Sequence, residues 1–312
     1  MSMPQPLDGR VALVTGGGRG VGQAIAETLH GQGAAVAIVD NGTAIDGSGA
    51  DPGVAHDLAA RLGERALALT ESIASPSAAE AAVASVTERF GGIDIVVNNA
   101  AILRDHFIFK ADPMAFDAVL RTNLGAAYHV LAAATPIMRE QAKAERGGKP
   151  YSWGRIVNIV STAGFYGNFG QAAYASAKAG LMGLTRVVAH DMHRSRVTCN
   201  AVAPFAATRV TETIKPANPA QAQYRDRALK VPARAVGELV AWLAGPEAQD
   251  VTGQLFGVRG REVFLFSQPR PVARMVAPAE AGRLGGAIAD ALASHYVPLE
   301  TDLEAFSGEP IL

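Results

Sequence analysis

The sequence predicts an α/β fold in which a doubly wound parallel β-sheet carries helices on both faces. Short apolar runs of strand length alternate with longer runs of helical periodicity across most of the 312 residues. The first strand-like run ends in a glycine-rich turn that leads directly into a helical pattern. Hydrophobic residues make up 49% of the chain, which is enough to bury both faces of a sheet. We therefore expect one domain over 8–260, followed by a C-terminal extension over 261–312.

The composition argues against several classes of protein. The formal net charge is −1, so nothing favours binding to nucleic acid. The single cysteine, Cys199, excludes an intrachain disulfide and a multi-cysteine metal site, and no metal is expected. No uncharged apolar run reaches about 18 residues, and the N-terminus lacks the pattern of a signal peptide. We expect a cytoplasmic protein without a membrane span.

The predicted elements alternate regularly along the chain. Strands are predicted at 11–14, 34–39, 65–70, 93–97, 155–160, 196–203 and 254–258. Helices are predicted at 23–30, 54–62, 77–90, 113–145, 172–194, 232–244 and 278–294, the fourth with a possible kink at Pro136. Residues 41–53 are interpreted as a long glycine-rich loop, and 205–230 as a mobile segment over the site.

The glycine-rich turn Thr15–Gly22 lies between the first strand and the first helix. Glycines in this context let the backbone approach a pyrophosphate at the helix N-terminus, as in a Rossmann-type dinucleotide site. Asp40 ends the next strand, where its carboxylate can bind the ribose 2′-hydroxyl and repel a 2′-phosphate. This favours NAD over NADP. Arg19 is a contrary signal, because its guanidinium could reach a 2′-phosphate.

A serine, a tyrosine and a lysine form the predicted catalytic group. Tyr174 and Lys178 are four residues apart, and on a helix they lie on one face. A nearby ammonium favours the phenolate, so Lys178 is expected to lower the pKa of Tyr174 toward the range of a useful acid or base. Ser161 follows a predicted strand and could hold a carbonyl oxygen beside the phenol. The opposing interpretation is an ordinary helix tyrosine with a solvated lysine.

Two asparagine positions add to this group. Asn99 belongs to the polar run Asn98–Ala101 at the end of a buried strand, where open α/β sheets bind ligands. Asn123 lies inside a predicted helix, although asparagine is a poor residue for a helix interior. Either Asn123 is a core amide satisfied by the backbone, or it holds water or distorts the helix beside the site.

These motifs occur in the order that is typical of the short-chain dehydrogenase/reductase superfamily, and the sequence resembles it over about 8–260. Three further runs, Ala101–Asp105, Tyr166–Gln171 and Ala203–Thr211, are similar to the (3R)-hydroxyacyl-CoA dehydrogenase units of peroxisomal multifunctional enzymes of type 2 and their bacterial relatives. Some relatives act on steroid alcohols or on sterol side-chain CoA thioesters.

The resemblance implies a role for each site residue. Tyr174 is the general acid or base, Lys178 lowers its pKa and binds the nicotinamide ribose, Ser161 orients the substrate oxygen, and Asn123 holds a water of a proton relay. The expected cofactor contacts are Gly16, Arg19, Gly20, Val21, Gly22, Asp40, Glu71, Ser72, Asn99, Ala100, Ala101, Tyr174, Lys178, Pro204, Ala207 and Thr208. Ala101, Glu71 and Phe205 depart from the family pattern, which has glycine, aspartate and glycine at these places.

The resulting hypothesis is an NAD-dependent oxidoreductase that interconverts a secondary alcohol and a ketone. A (3R)-3-hydroxyacyl-CoA is the first expected substrate. A hydroxysteroid or another hydrophobic alcohol is the alternative, and a catalytically silent cofactor-binding protein is the third hypothesis. The resemblance also implies a homodimer or homotetramer.

Overall fold

The computed structural model describes residues 5–146, 149–150, 154–207, 209–212, 219–280 and 282–312. The strands are β1 (Val11–Thr15), β2 (Ala35–Val39), β3 (Ala66–Leu69), β4 (Ile95–Asn98), β5 (Glu145–Arg146), β6 (Lys149–Pro150), β7 (Gly154–Ile159), β8 (Val197–Phe205), β9 (Leu255–Arg259) and β10 (Glu262–Leu265). The helices are α1 (Gly20–Gly31), α2 (Gly53–Leu62), α3 (Pro76–Phe90), α4 (Pro113–Leu120), α5 (Ala126–Gln141), α6 (Ala163–Tyr166), α7 (Ala172–Asp191), α8 (Arg209–Glu212), α9 (Pro219–Ala228), α10 (Arg234–Ala244), α11 (Leu284–Leu292) and α12 (Asp302–Ala305).

The main sheet has eight strands in the order β10-β9-β8-β7-β4-β1-β2-β3. All neighbouring pairs are parallel except β9 and β10, which form an antiparallel hairpin. The strand order reverses direction between β1 and β4, so the carboxyl ends of these two strands leave a crevice between them. The predicted doubly wound parallel sheet is confirmed.

The sheet is buried on both faces because its strands alternate apolar side chains between two cores. Ala12 and Val14 of β1 belong to a core with α1 and α10, which includes Ile25. Val11 and Leu13 of the same strand belong to the opposite core, with α3 and α5. Successive side chains of a strand point to opposite faces, so a continuous apolar run fits a strand covered by helices on both sides.

Strand β10 and helices α8 and α9 differ from the prediction. Glu262–Leu265 was expected to begin an extension without a strand, but it pairs with β9 in the main sheet. Two of its apolar side chains, Val263 and Leu265, face solvent, so the run lacks the pattern of a buried strand. Residues 209–212 and 219–228 are helical, although the sequence of this segment shows little hydrophobic periodicity. Helix α9 is rich in alanine, glutamine and arginine, which favour helices without forming an apolar stripe.

The predicted long helix 113–145 contains a change of hydrogen-bonding pattern. It runs from α4 to α5 through a π-helical turn at Arg121–Gly125 and ends at Gln141. Helix α5 continues through Pro136. The departure from α-helical hydrogen bonding lies earlier, at the π turn that carries Asn123. Single π turns inside helices occur often at functional sites.

Cys199 lies in the middle of β8 and is fully buried. Burial raises the pKa of its thiol, which makes the thiolate harder to form. Within the described ranges, no helix has the length and apolar character needed to cross a membrane. Those same residues also contain no group of three or more side chains arranged to hold a metal ion.

Candidate active site

A single cavity of about 1340 Å³ lies along the carboxyl ends of the central strands. One end of it is lined by the glycine turn after β1 and by Asp40 after β2, and the other end by Ser161, Tyr174 and Lys178. The cavity therefore joins the two groups of residues that the sequence separates by more than a hundred positions.

The glycine turn brings the backbone of β1 close to the neighbouring strand end. Gly16 has φ of 59°, in the left-handed region that favours glycine. A Cβ on Gly16 would lie 2.8 Å from the Cα of Ala100, and a Cβ on Gly22 would overlap the carbonyl oxygen of Gly16. Side chains at these two positions would therefore displace the turn. The open backbone at the start of α1 fits a bound pyrophosphate.

Asp40 is held in a fixed orientation at the end of β2. Its Oδ2 accepts the N–H of Gly18 at 2.9 Å, and its Oδ1 accepts the N–H of Gly42 at 2.8 Å. The carboxylate therefore connects the glycine turn to the loop 41–52. Arg19 lines the same part of the cavity, and its Nη2 donates to the carbonyl oxygen of Thr43 at 3.0 Å.

The end of β4 is tied to the glycine turn by Asn99. Its Nδ2 donates to the carbonyl oxygens of Thr15 at 3.1 Å and Gly16 at 2.9 Å. Two further hydrogen bonds join the same strands, because the Oγ1 of Thr15 accepts the N–H groups of Asn99 and Ala100 at 3.0 and 3.1 Å. Asn99 thus holds the crevice between β1 and β4 at a set width.

Ser161, Tyr174 and Lys178 converge as predicted. Ser161 follows β7, and the other two lie one turn apart on α7. Tyr174 is 8% exposed and Lys178 is 2% exposed. The Nζ of Lys178 lies 5.7 Å from the centre of the Tyr174 ring and donates to the carbonyl oxygen of Ile159 at 2.7 Å. This burial excludes the interpretation of Lys178 as a solvated surface charge.

Asn123 has a structural partner beside the site. Its Oδ1 accepts the N–H of Ile102 at 2.8 Å, and its Nδ2 donates to the carbonyl oxygen of the same residue at 2.9 Å. The amide therefore fixes the chain after β4 to the π turn. The side chain is not among those that line the cavity, whereas its neighbours Arg121 and Thr122 are.

Comparison with known proteins decides the family. Residues 10–221 match the family model described as short chain dehydrogenase. The chain is a short-chain dehydrogenase/reductase. It is accordingly an NAD(P)-dependent oxidoreductase that acts on CH–OH groups, and the family resemblance of the motifs is confirmed.

Several relatives cover most of this short-chain dehydrogenase/reductase. Hydroxyacyl-CoA dehydrogenase ChsB1 of Mycobacterium tuberculosis is 38% identical over 84% of this chain and 81% of its own. The 3-oxoacyl-[acyl-carrier-protein] reductase FabG of Vibrio cholerae is 37% identical over 81% and 97%. The peroxisomal multifunctional enzyme type 2 of Mus musculus is 35% identical over 83% of this chain but only 32% of its own. A crystal structure of a short chain dehydrogenase from Mycobacterium avium superposes with a TM-score of 0.79 at 33% identity, covering 95% of this chain and 99% of that one.

The pKa values of this short-chain dehydrogenase/reductase depart from the expected direction. Burial raises the pKa of Tyr174 to about 12, a hydrogen bond with Ser161 partly lowers it, and the charges of Asp302 and Asp105 raise it further. Burial also lowers the pKa of Lys178 to about 8. The net shift of the Tyr174 pKa is therefore upward, opposite to the expected one, and Lys178 is not among its causes. Desolvation is the largest cause of both shifts, and the spacing of two residues in the sequence does not indicate how deeply they are buried.

The burial of Lys178 gives the folding stability a defined pH dependence. The pKa of this lysine falls from 10.5 to about 8 on folding, so between these values the unfolded chain binds more protons. The Lys178 contribution to the free energy of unfolding therefore rises with pH in that window. Relative to Lys178→Met, the cofactor-free wild type should gain about 1 to 2 kcal/mol from about pH 7.5 to 9.5. Urea denaturation at each pH measures the difference.

The control for this stability prediction is the same substitution at Lys110, which is exposed. Its free energy of unfolding should follow that of the wild type throughout the window. A constant difference between wild type and Lys178→Met across the window would show that Lys178 keeps an ordinary pKa in the folded protein.

Most of the predicted cofactor residues line the cavity. They are Gly16, Arg19, Gly20, Val21, Gly22, Asp40, Glu71, Ser72, Asn99, Ala100, Ala101, Tyr174, Lys178 and Pro204. Ala207 does not line it, and its N–H donates to the carbonyl oxygen of Val231 at 2.8 Å. Thr208 lies outside the described residues. Contacts of the cofactor with all sixteen residues remain predictions.

Five residues that line the cavity lie near the end of the chain and were not predicted. Asp302, Leu303, Phe306, Gly308 and Pro310 form part of the cavity wall beside Tyr174. A local signal for the short helix α12 did exist, since Thr301 and Glu304 form a capping box. That signal predicts a helix start, but nothing in the sequence indicates where this helix packs.

Proposed function

We propose that this protein is an NAD-dependent dehydrogenase that interconverts a secondary alcohol and a ketone, with a (3R)-3-hydroxyacyl-CoA as its first candidate substrate. The observation that carries the proposal is the single cavity shared by the glycine turn, Asp40 and the Ser161–Tyr174–Lys178 group. A dinucleotide held by its pyrophosphate at the start of α1 can reach the phenol within the same space.

The residues present fit a bound nicotinamide dinucleotide. A Cβ does not fit at Gly16 or Gly22, and this bare backbone allows close approach of a pyrophosphate. The carboxylate of Asp40 is oriented by two backbone N–H groups, at the place where a ribose 2′-hydroxyl is expected. The Nζ of Lys178 donates to the carbonyl oxygen of Ile159 and retains further N–H donors for a ribose hydroxyl. When bound, NAD supplies the nicotinamide carbon that exchanges a hydride and, when oxidised, a positive charge that favours the phenolate.

Tyr174 transfers the proton of the reacting alcohol in this proposal. In the oxidation direction the phenolate accepts the hydroxyl proton as the carbinol hydrogen leaves as hydride, and in reduction the phenol returns a proton to the ketone oxygen. Ser161, which hydrogen-bonds Tyr174, holds the same substrate oxygen. The side-chain amide of Asn123 connects the π turn to the backbone of Ile102. In this proposal, a water molecule near the π turn carries the proton from the site to solvent.

Asp40 should decide the preference for NAD. Because a carboxylate at the ribose repels a 2′-phosphate, Asp40→Ala should lower the NAD/NADP ratio of kcat/KM by roughly 10- to 100-fold, on the order of 1 to 3 kcal/mol. The measurement is steady-state kinetics with each cofactor. Asp57→Ala removes an exposed carboxylate on the adjacent helix α2 and serves as the control. An unaltered ratio in Asp40→Ala would place the ribose elsewhere.

The acyl-CoA class is supported by relatives and by the cavity. ChsB1 is named as a hydroxyacyl-CoA dehydrogenase and aligns with 84% of this chain, and peroxisomal multifunctional enzyme type 2 aligns with 83% of it. FabG, named as a 3-oxoacyl-[acyl-carrier-protein] reductase, aligns equally well, so the test includes the ketone direction. A cavity of about 1340 Å³ can take a cofactor together with a long substrate.

A hydroxysteroid or a similar hydrophobic alcohol is the second candidate. It is favoured by the aromatic wall of the cavity, where Phe205 and Phe306 meet with ring centres 4.6 Å apart. A flat polycyclic substrate gains more from such a wall than a flexible chain, because it loses less conformational freedom on binding.

The test is NAD reduction across a panel of 3-hydroxyacyl-CoA esters of increasing length and of hydroxysteroids, with the corresponding ketones assayed in reverse. The highest kcat/KM on (3R)-3-hydroxyacyl-CoA esters is expected. Faster turnover of steroids would favour the second candidate. NAD binding without turnover of any substrate would favour the third hypothesis, a silent binding protein. We also propose a cytoplasmic homodimer or homotetramer, whose mass light scattering would measure.

A further inference from the structure

The C-terminal segment, Thr301–Leu312, is attached to the body of the protein by three arginine residues among other contacts. The Nη1 of Arg259 donates to the carbonyl oxygens of Phe306 at 2.9 Å and Gly308 at 3.1 Å. Arg227 of α9 pairs with Glu309. The N–H of Arg261 donates to the carbonyl oxygen of Ile311 at 2.7 Å. The Arg259 and Arg261 contacts fix the backbone of the segment along the β9–β10 hairpin, and the Arg227 pair connects the segment to α9.

Asp302 connects this segment to the catalytic loop. It is 8% exposed and makes two hydrogen bonds across 134 and 140 residues of chain. Its Oδ2 accepts the Oγ1–H of Thr162 at 2.9 Å, and its Oδ1 accepts the Nδ2–H of Asn168 at 3.0 Å. Thr162 directly follows Ser161, and Asn168 lies in the loop that leads to α7. A buried carboxylate with both oxygens bonded holds its donors firmly, since losing either bond leaves a buried polar group unsatisfied.

Phe306 places an aromatic ring in the wall of the cavity. Its ring packs against four others, Phe205, Phe264, Phe266 and Tyr166, with centres between 4.6 and 6.2 Å away. Because it is wedged among rings from β8, β10 and the loop after it, and α6, it has little room to move aside. The cavity is therefore bounded on this side by a side chain of fixed position.

We propose that the C-terminal segment forms the far wall of the substrate compartment, with Phe306 as a specificity-determining residue and Asp302 as a positioning residue for Ser161. This inference rests on the proposed function, because it assigns the compartment beside Tyr174 to the part of the alcohol beyond its carbinol carbon. Phe306 limits the width of that part. Asp302 acts through Thr162 and Asn168. By holding these two residues, it keeps the hydroxyl of Ser161 beside the phenol of Tyr174.

The first test replaces Phe306 with alanine and compares two alcohols of different width. The ratio of kcat/KM for a hydroxysteroid over that for 3-hydroxybutyryl-CoA should rise by at least about tenfold, since a phenyl ring packed against four other rings is a large steric barrier. Leu299→Ala, at a side chain that is 99% exposed just before the segment, is the control and should leave the ratio unchanged. A ratio within twofold of wild type in Phe306→Ala would overturn the assignment of Phe306.

The second test concerns Asp302 and does not require turnover. Asp302→Asn keeps the size of the side chain but leaves one carbonyl oxygen for two donors. Amide hydrogen exchange over 161–170 should accelerate by at least about tenfold, whereas exchange in β1 should stay unchanged. Where an alcohol is turned over, kcat should fall about tenfold with KM for NAD within twofold. Unchanged exchange over 161–170 would overturn the positioning role.

The two tests separate failure of the inference from failure of the proposed function. If the wild type oxidises no alcohol of the panel, the proposed function fails, and the exchange measurement alone decides whether Asp302 holds the loop. If the wild type is active and neither the selectivity ratio nor the exchange changes, the inference fails and the proposed function stands.

Discussion

Replacing Tyr174 with phenylalanine should lower kcat by about 10²- to 10⁴-fold, which is the usual contribution of a positioned general acid or base. The ring remains, so the packing of α7 against the loop after β7 should be preserved. Only the hydroxyl that hydrogen-bonds Ser161 is lost. Affinity for NADH should stay within about twofold, because Lys178 and the glycine turn are unchanged. Steady-state kinetics and a fluorescence titration with NADH measure the two quantities.

The matched control for this substitution is Tyr296→Phe, at a tyrosine that is 66% exposed in the C-terminal extension. It should retain wild-type kcat. If Tyr174→Phe also retained wild-type kcat, the proton would be transferred by another group, and the catalytic assignment of Tyr174 would be lost.

Replacing Gly22 with alanine should weaken NAD binding by roughly 10- to 100-fold, in line with about 1 to 3 kcal/mol for one added methyl in a closely packed place. The new Cβ would overlap the carbonyl oxygen of Gly16 and lie 2.6 Å from the Nδ2 of Asn99. Both are parts of the turn that holds the crevice between β1 and β4 at its width. The turn must therefore move, and the pyrophosphate site moves with it. Isothermal titration with NADH measures the loss.

Gly31→Ala is the control for Gly22→Ala within the same helix. Gly31 is the last residue of α1, and a Cβ there meets no atom within 4 Å. Its NADH affinity should equal that of the wild type, and its thermal midpoint should be equal or slightly higher, because alanine restricts the unfolded chain. Equal NADH affinities for the two variants would mean that the turn tolerates a side chain and does not set the pyrophosphate site.

The features that could be predicted from sequence are those encoded locally. The strand before the glycine turn, Asp40 after β2, and the Tyr174–Lys178 spacing each occupy a short run of chain, and parallel strands bring their ends to one edge of the sheet. Their meeting in one cavity therefore follows from the order of the elements. For Asn123 both open interpretations hold in part, because its amide is satisfied by the backbone of Ile102 and the helix is distorted into a π turn, whereas the relay water remains a prediction.

The features that could not be predicted depend on burial and on distant contacts. The direction of the Tyr174 pKa follows from desolvation, which appears only when α7 packs against the loop after β7. Asp302 finds its partners 134 and 140 residues earlier in the chain, with no periodicity or motif to indicate the pairing. Strand β10 was missed although valine and phenylalanine favour strands, because its pairing with β9 is a contact that the four-residue run does not itself encode.

The burial of Cys199 has a practical consequence for spectroscopy. It is the only sulfhydryl among the 312 residues and has no exposed surface, so maleimide reagents should leave the native protein unlabelled. A second cysteine introduced at Leu299, which is 99% exposed, would accept a fluorophore at one defined point without prior removal of the natural one. Emission from that dye would follow movements at the start of the final twelve residues in real time.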